Sequence, residues 1–360
     1  MDRFTELKTA VGTAALVDAH AHNIVAVDSA VPFLNLFSEA TGDALSYAPH
    51  TINFKRSLKE IAELYGSDLS FDAVQEYRSS SGVESITGKC LKTAGISAIF
   101  IDDGLELDKM HGIEWHKAFV PFVGRILRIE RVAEKILDEG SKAGTTWTLD
   151  SFTAVFVENL KSYPFDFSLI AAYRSGLEIN TNVSETDAEE GLYDVLRAGS
   201  PARITNKNLI DHIFIHALEV AQNFDLPMQI HTGFGDKDLD LRLSNPLHLR
   251  NVLEDSRFSM CRIGSFTRII PIFQRSIILG LCVPSGKIWK FIWTSGLAVP
   301  KLSFHGMLSS VKELLELAPI KKVMFSTDGC AFPESFYLGW FYQYHALCHF
   351  NVVFFLRTQE

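Results

Sequence analysis

Two histidines near the amino terminus, His20 and His22, have the chemistry and spacing to hold a metal ion. A short apolar and β-branched run leads into them, and residues two apart in a β-strand point to the same face. Both imidazoles therefore project together from the end of the predicted strand. Because neutral imidazole is the commonest metal-binding side chain, the pair predicts two ligands of a metal site. An ordinary strand with polar residues at its end is the alternative.

Apolar runs rich in β-branched residues recur along the 360-residue chain, with helical patterns between them. This alternation is typical of a parallel α/β sheet or barrel. The length suits either one large barrel or two medium domains. After the first strand, further strands are predicted at 96–101, 122–129 and 168–173, and in runs that begin at 227 and at 322.

Two more polar side chains follow predicted strands. His231 ends an apolar run where it meets a Gly-rich loop, and Asp328 has the matching position after the last run. Barrel enzymes present their catalytic groups from the carboxyl ends of the strands. We therefore expect these two residues to converge with the first histidine pair. Asp328 precedes a glycine, so a turn residue is the alternative interpretation.

Taken together, these positions resemble the metal-dependent amidohydrolase superfamily, in its amidohydrolase-related branch. Three further motifs are similar to the amidohydrolase-like portion of plant nodulin/fluG-type proteins, in which a type I glutamine synthetase-like domain follows. They are residues 171–177, 229–236 and 245–248. The resemblance covers residues 1 to 262 and 296 to 339.

The resemblance implies a distorted (β/α)8 barrel of the TIM type with one or two divalent metals, commonly zinc. His20, His22 and His231 would be metal ligands, and Asp328 would bind metal or act as the general base. Members mostly hydrolyse C–N bonds, although the branch also includes metal-dependent decarboxylases. Zinc lowers the pKa of its bound water to about 7, which makes hydroxide available near neutral pH for attack on an amide-like carbon.

One segment departs from the family pattern. The family places a histidine on the sixth strand, but residues 263–304 contain no His, Asp or Glu. We interpret residues 264–295 as an aberrant segment, either read in a shifted frame or genuinely divergent. In both cases the sixth-strand ligand is missing, and the barrel is expected to be distorted or incomplete around strands 6 and 7. A non-catalytic isoform with a residual metal-binding or other binding role is therefore an alternative to an active hydrolase.

Residues 1–339 are predicted to form the barrel, with residues 28–94 as a mostly helical insertion after the first strand. This insertion is either a lid over the strand ends or a packing extension of the first loop. Ser67 and Ser70 are candidate helix caps in it. Residues 340–360 are predicted to be an apolar tail without helical amphipathy, too interrupted by polar residues for a good membrane anchor. We interpret this tail as a truncated or alternatively spliced end, with the last barrel helix and any synthetase domain then absent.

Other polar residues near strand ends are lesser candidates. Arg174 and Glu178 are predicted to contact substrate, with a strand-end ion pair as the alternative. No lysine occupies that position, so a carbamylated-lysine bridge between two metals is not supported and a single metal is favoured. His248 is predicted to face the site from a loop, with capping or packing as the alternative. Asp236 is a candidate to orient His231.

The composition narrows the class of partner. The formal net charge is -9 at pH 7, and no Lys/Arg-rich stretch offers a phosphate-binding face, which disfavours nucleic acid. We expect a small-molecule substrate and no membrane, with a homo-oligomer left open. The five cysteines are scattered without a C-x-x-C pair, which indicates a reducing compartment. Since the amino terminus lacks the apolar region of a secretory signal, a cytoplasmic location is expected.

Overall fold

The computed structural model describes residues 9–10, 13–162, 166–233, 240–268, 291–296, 304–317 and 320–349. Strands and helices alternate along these residues, and the strand pairs are parallel, so the predicted α/β class is confirmed. The chain divides into two compact units. Unit 1 is Met1–Gly124 with Ser295–Glu360, and unit 2 is Arg125–Thr294.

Eight strands are described: β1 Leu16–His22, β2 Ile96–Asp102, β3 Phe122–Arg128, β4 Asp166–Leu169, β5 Pro227–Gly233, β6 Arg262–Arg268, β7 Phe291–Gly296 and β8 Val323–Ser326. The described α-helices are α1 Ile52–Tyr65, α2 Phe71–Ser81, α3 Val83–Thr93, α4 Ile113–His116, α5 Ile129–Ala143, α6 Leu149–Lys161, α7 Glu185–Ala198, α8 Lys207–Asn223, α9 Arg250–Glu254, α10 Phe304–Leu317 and α11 Pro333–His349. Short 3-10 helices lie at Phe33–Leu36, Gly42–His50, Ala171–Tyr173, Pro246–Leu249, Ser256–Phe258 and Ile320–Lys322.

In unit 1, β1 is joined to β2 on one side and contacts β8 on the other. β1 and β2 pair in parallel from Leu16, opposite Ile96, to His22, opposite Asp102. The register shifts between Asp18 and Ala21, where β1 has an extra residue. Such a bulge bends the strand and re-aims its side chains. The carboxyl ends of β1 and β2 therefore lie side by side, at a point where the strand is irregular.

The insertion after β1 is helical, and one of its two predicted caps is confirmed. The Ser70 hydroxyl accepts the backbone N–H of Ala73 at 3.1 Å at the start of α2. The predicted cap at Ser67 is wrong. Helix α1 ends at Gly66, which has a φ of 70°, a conformation that glycine adopts without strain. Ser67 lies beyond that end.

The insertion packs on the last described helix. Phe54 and Ile61 of α1 belong to the same buried apolar cluster as Leu338 and Tyr342 of α11. A hydrogen bond of 3.0 Å joins the Tyr342 hydroxyl to that of Ser57. Burial of each such apolar side chain stabilises the fold by roughly 1.5–3 kcal/mol. The insertion and α11 are therefore held together chiefly by apolar contact.

Helix α11 corrects the prediction for the carboxyl-terminal residues. The sequence predicts a non-amphipathic tail from residue 340 and no helix after the last strand, but α11 runs from Pro333 to His349. Its side chains are buried on several sides, and a helix surrounded in this way needs no polar stripe. Residues 350–360 lie outside the described residues. No helix within the described ranges is long and apolar enough to cross a membrane.

In unit 2, β4 pairs in parallel with the end of β3 and with β5, and β5 pairs in parallel with β6. The pairing of β5 with β6 covers all seven residues, from Pro227 opposite Arg262 to Gly233 opposite Arg268. Residues 264–268 of the predicted aberrant segment thus form a regular strand, and residues 269–290 lie outside the described part. The fourth strand, predicted to run to residue 173, ends at Leu169.

One carboxylic acid of unit 2 is buried where β3 passes into α5. Glu130 has no exposed surface, and its Oε1 accepts the backbone N–H of Ile170 at 2.8 Å. Burial raises the pKa of Glu130 from 4.5 to about 7, although Arg174 nearby favours the charged form. A carboxyl in such surroundings is held partly protonated near neutral pH.

This raised pKa predicts a pH-dependent stability for unit 2. The stability contributed by Glu130 is complete below pH 4.5 and is lost as the pH rises through 7. Glu130→Gln keeps an acceptor for Ile170 and removes the charge. We expect this variant to match the unmodified protein at pH 5 and to be more stable by about 1–3 kcal/mol at pH 8, as measured by urea unfolding. Glu139→Gln, an exposed position on the same helix, is the control, and an equal difference at both pH values would contradict burial of a protonated acid.

Candidate metal centre

Three side chains of ligand type meet at the ends of β1 and β2. One ligand atom from each of His20, His22 and Asp102 lies within 4.8 Å of the other two. All three residues are buried. The imidazole centroids are 5.1 Å apart and the ring planes meet at 84°. Two imidazole nitrogens and one carboxylate oxygen suit a divalent transition metal, including zinc.

Asp102 also determines which nitrogen His22 presents. His22 Nδ1 lies 2.9 Å from the backbone carbonyl oxygen of Asp102. A carbonyl oxygen only accepts, so Nδ1 carries the proton and Nε2 keeps its lone pair. His22 Nε2 faces the carboxylate of Asp328, at 3.6 Å from Oδ1. The hydrogen bond from His22 Nδ1 to the Asp102 carbonyl is of the kind that fixes the tautomer and the ring orientation of a ligating histidine.

Asp328 follows β8 and lies beside the cluster of three. Its backbone has a φ of 53°, in the left-handed region, which costs a non-glycine residue about 1–2 kcal/mol. The conformation is maintained by its own N–H, which donates to the His20 carbonyl at 3.1 Å, and by the His22 N–H, which donates to Gly329 at 2.7 Å. Asp328 is therefore a turn residue, as the alternative interpretation of the sequence predicted. The same turn also brings its carboxylate next to His22.

Asp18 ties β1 to the residues after β8, and the sequence interpretation assigned it no role. Its carboxylate has no exposed surface. It accepts the backbone N–H groups of His20 at 3.3 Å and Thr327 at 3.0 Å, and also the Thr327 hydroxyl. Burial raises the pKa of Asp18 to about 7, and the hydrogen bonds from Thr327 oppose that effect. An acid within an apolar strand was its only signal in the sequence.

Helix α11 packs against the end of β8 and the residue that follows it. Gln343 Nε2 donates to the Ser326 carbonyl at 2.6 Å, and the Ser326 hydroxyl donates to the His20 carbonyl at 2.9 Å. At Gly339 an added Cβ would lie 2.9 Å from the Cβ of Thr327, so only glycine allows the helix this close. The position of α11 therefore bears directly on the end of β8.

Asp102 is the functional candidate that sequence reasoning passed over. It directly follows the second predicted strand, 96–101, and it is the last residue of β2 in the structure. Its signal was its position, because the carboxyl ends of neighbouring parallel strands meet at one edge. Its Oδ1 accepts the N–H of Gly104 at 3.0 Å, which helps to fix the carboxylate.

The remaining predicted site residues lie in unit 2. His231 lies near the carboxyl end of β5 in a buried position, edge-on to the Tyr173 ring with centroids 5.9 Å apart. The Arg174 guanidinium is also buried and forms an ion pair with Glu134. It donates in addition to the Ile204 carbonyl at 2.7 Å. Arg174 thus makes the ion pair that was the alternative to a substrate contact.

Glu178 and His248 are the two lesser candidates, and the contacts described for them do not define a site. Glu178 is exposed. His248 Nε2 donates to the Arg242 carbonyl at 2.8 Å, a packing contact within its own loop. Asp236, the candidate to orient His231, lies outside the described residues. Among the described residues, the group that can hold a metal is the one on β1 and β2.

Comparison with known proteins adds a sequence relative. No family model matches the chain. Protein fluG of Emericella nidulans is 28% identical over 376 residues, in a match that covers 94% of this chain and 42% of that protein. The chain therefore spans less than half the length of this curated relative.

Solved structures share the fold. A protein of Lactobacillus casei, provisionally described as a metal-dependent hydrolase, has a TM-score of 0.82 at 23% identity, covering 96% of this chain and 90% of that chain. The uronate isomerase of Thermotoga maritima has a TM-score of 0.67 at 13% identity, covering 99% and 92%. That of Bacillus halodurans has a TM-score of 0.58 at 12% identity, covering 99% and 90%.

The Asp18–Thr327 contact predicts a measurable coupling between β1 and the residues that follow β8. Asp18→Asn places an amide N–H₂ against donors and should cost about 1–3 kcal/mol of unfolding free energy, because a buried donor is left unmatched. Thr327→Val removes only the hydroxyl. In a double-mutant cycle by urea unfolding of the metal-free protein, the two losses should be non-additive by at least about 0.5 kcal/mol. Simple additivity would mean that the two side chains do not stabilise each other.

Proposed function

We propose that this chain is a metal-dependent hydrolase of the amidohydrolase type that acts on C–N bonds of small molecules. The observation that carries the proposal is the buried cluster of His20, His22 and Asp102. The relative fluG and the motif resemblance support the branch, and the fold likeness to a protein described as a metal-dependent hydrolase is consistent with it. The finer fold assignment, a distorted (β/α)8 barrel, belongs to the same proposal.

The chemistry of the cluster fits a divalent metal. The buried carboxylate of Asp102 offers one oxygen ligand within 4.8 Å of a ligand nitrogen on each of the two imidazoles, and this donor set suits a divalent transition metal. Two neutral imidazoles and one carboxylate neutralise half of the charge of a divalent cation. Zinc is our choice from the family resemblance. Bound there, a divalent metal would lower the pKa of a water molecule and polarise a carbonyl oxygen.

Asp328 is proposed as the general base. Its carboxylate lies beside His22 Nε2, next to the ligand group rather than within it. Oδ1 of Asp328 can accept the proton that the attacking water loses and return it to the leaving nitrogen. Asp18 and Thr327 hold the backbone from which Asp328 projects. The residues after β8 thus position the proton-transfer group.

His231 is proposed as a further ligand because of its motif, Gln229 to Asp236, which matches the family pattern. The family's sixth-strand histidine has no counterpart in this chain. Asp102 offers a third ligand from the second strand in its place, and the proposal of a functional metal site does not depend on the missing residue. This weighs against the non-catalytic alternative. Glu178 and His248 remain proposed substrate contacts, whereas Arg174 is committed to Glu134.

Metal binding tests the ligand set. We expect the metal-free protein to bind one equivalent of zinc in a calorimetric titration. Asp102→Asn should weaken that binding at least tenfold, about 1.4 kcal/mol, because a charged oxygen ligand is lost. Asp103→Asn, at the neighbouring position, is the matched control and should bind like the unmodified protein. If Asp102→Asn binds zinc normally, Asp102 is not a ligand; if the unmodified protein binds none, the metal site itself is wrong.

Catalysis tests the role of Asp328. The zinc-loaded protein is expected to hydrolyse members of a panel of small amides and N-acyl compounds. Asp328→Asn should lower kcat by about 10²–10⁴-fold and leave zinc affinity within a few-fold, because it removes a base rather than a ligand. Release of carbon dioxide from small carboxylic acids, without amide hydrolysis, would instead favour the decarboxylase alternative. Inactivity in both assays despite full zinc occupancy would favour a non-catalytic role.

A further inference from the structure

A buried ion pair joins the helical insertion to the start of α11. Glu334, the second residue of α11, has no exposed surface. Its Oε1 accepts the Arg78 guanidinium of α2 and the Tyr65 hydroxyl of α1. A buried carboxylate that loses its cationic partner is strongly unfavourable, so neither residue can be moved without the other. The first turn of α11 is therefore fixed by two helices of the insertion.

Arg78 also contacts the segment just before α11. Its guanidinium carbon lies 4.0 Å from the centroid of the Phe33 ring and 5.5 Å from that of Phe332. The two rings meet edge to face, with centroids 5.4 Å apart. Phe332 is the last residue before the helix. One arginine of the insertion thus holds both the first turn of α11 and the residue that leads into it.

The segment held in this way is the connection that carries Asp328. Only residues 327–332 separate β8 from α11. Two of them, Asp328 and Ala331, have left-handed backbones with φ of 53° and 61°. Strained residues of this kind keep their conformation only when the surroundings enforce it. On one side Ala331 is bonded to Asn23 and Val25, at 3.1 and 2.9 Å.

The other side is set by α11. Ser335 in its first turn accepts the Cys330 N–H at 2.9 Å. Further along the helix, Gly339 packs on Thr327 and Gln343 bonds to Ser326. A displacement of α11 would move both ends of the connection. The carboxylate of Asp328 and the hydrogen bonds of Asp18 would move with them.

We propose that Arg78 and Glu334 are positioning residues that, through α11, hold the connection 327–332 and thereby set the geometry of the metal cluster. The insertion is then a part of the site's support rather than only a packing layer. The inference rests on the proposed metal site, and it adds residues that touch neither metal nor substrate. Coupling is reciprocal, so metal binding should in turn protect the insertion from opening.

The experiment compares the pair with an equally buried neighbour. The variants are Arg78→Met, Glu334→Gln and the double variant, and the control is Val74→Ala, a fully buried position on α2. Each protein is measured for zinc affinity by chelator competition and for thermal stability. Backbone hydrogen exchange of residues 327–332 is measured on the metal-free protein.

Each single variant of the pair should lose zinc affinity at least fivefold and exchange faster at residues 327–332. The double variant should regain stability, because no buried charge is left unpaired, but not zinc affinity. Val74→Ala should lose stability while its zinc affinity stays within twofold. A pair with a merely structural role would not separate zinc affinity from stability in this way.

Zinc affinity that follows stability equally in all four variants would overturn the inference. Restoration of full affinity in the double variant would also overturn it. If the unmodified protein binds no zinc, the proposed function fails, and the hydrogen-exchange comparison still decides whether the pair holds the connection. Unchanged exchange at residues 327–332 in Glu334→Gln, with faster exchange elsewhere in the insertion, would reject that role.

Discussion

The buried hydrogen bonds between β1 and the residues after β8 are the constraint on which the candidate site depends. Asp18 accepts from His20 and from Thr327, while Asp328 donates back to the His20 carbonyl. These bonds cross between parallel neighbours that are about 300 residues apart in sequence, so they form only when the whole of unit 1 is assembled. The same bonds place the imidazoles and the Asp328 carboxylate together. Assembly of the fold and of the site is thus one event.

Among its described residues, unit 1 buries three carboxyl groups, those of Asp18, Asp102 and Glu334, and each has polar neighbours. Asp18 is satisfied by three donors, and Glu334 by Arg78 and Tyr65. The Asp102 carboxylate accepts the Gly104 N–H and lies with the two histidines. Low polarity around such groups strengthens their interactions and also penalises any that are unmatched. This explains why the apolar packing of the insertion on α11 and the polar site belong to one unit: the packing excludes the water that would weaken the polar contacts.

Local sequence patterns predicted the structural features that depend on residues close together in the chain. The strand ending in His20 and His22, and the cap at Ser70, follow from periodicity and from short-range hydrogen bonding. Asp18 and Asp102 could not be assigned in that way, because their roles depend on partners in other strands. Helix α11 was missed because burial on several sides removes the amphipathic pattern on which helix prediction relies. The ion pair of Arg174 could not be chosen over a substrate contact for a related reason. Its partner, Glu134, lies on α5, and an arginine at a strand end looks the same in sequence whether it meets a substrate or a carboxylate.

The replacement of a histidine by a carboxylate would change the electrostatics of the proposed site. Two imidazoles and Asp102 leave a divalent cation with a net charge of +1, whereas three imidazoles would leave +2. The carboxylate of Asp328 beside His22, when ionised, would lower the local charge further. A site close to neutral attracts anionic substrates less strongly than a dicationic one, since the interaction scales with the product of the charges. It also binds the cation more tightly. Within the proposed function, this charge balance favours neutral C–N substrates over polyanions, and it makes the acid on β2 the residue that distinguishes this site from one built on the sixth-strand histidine.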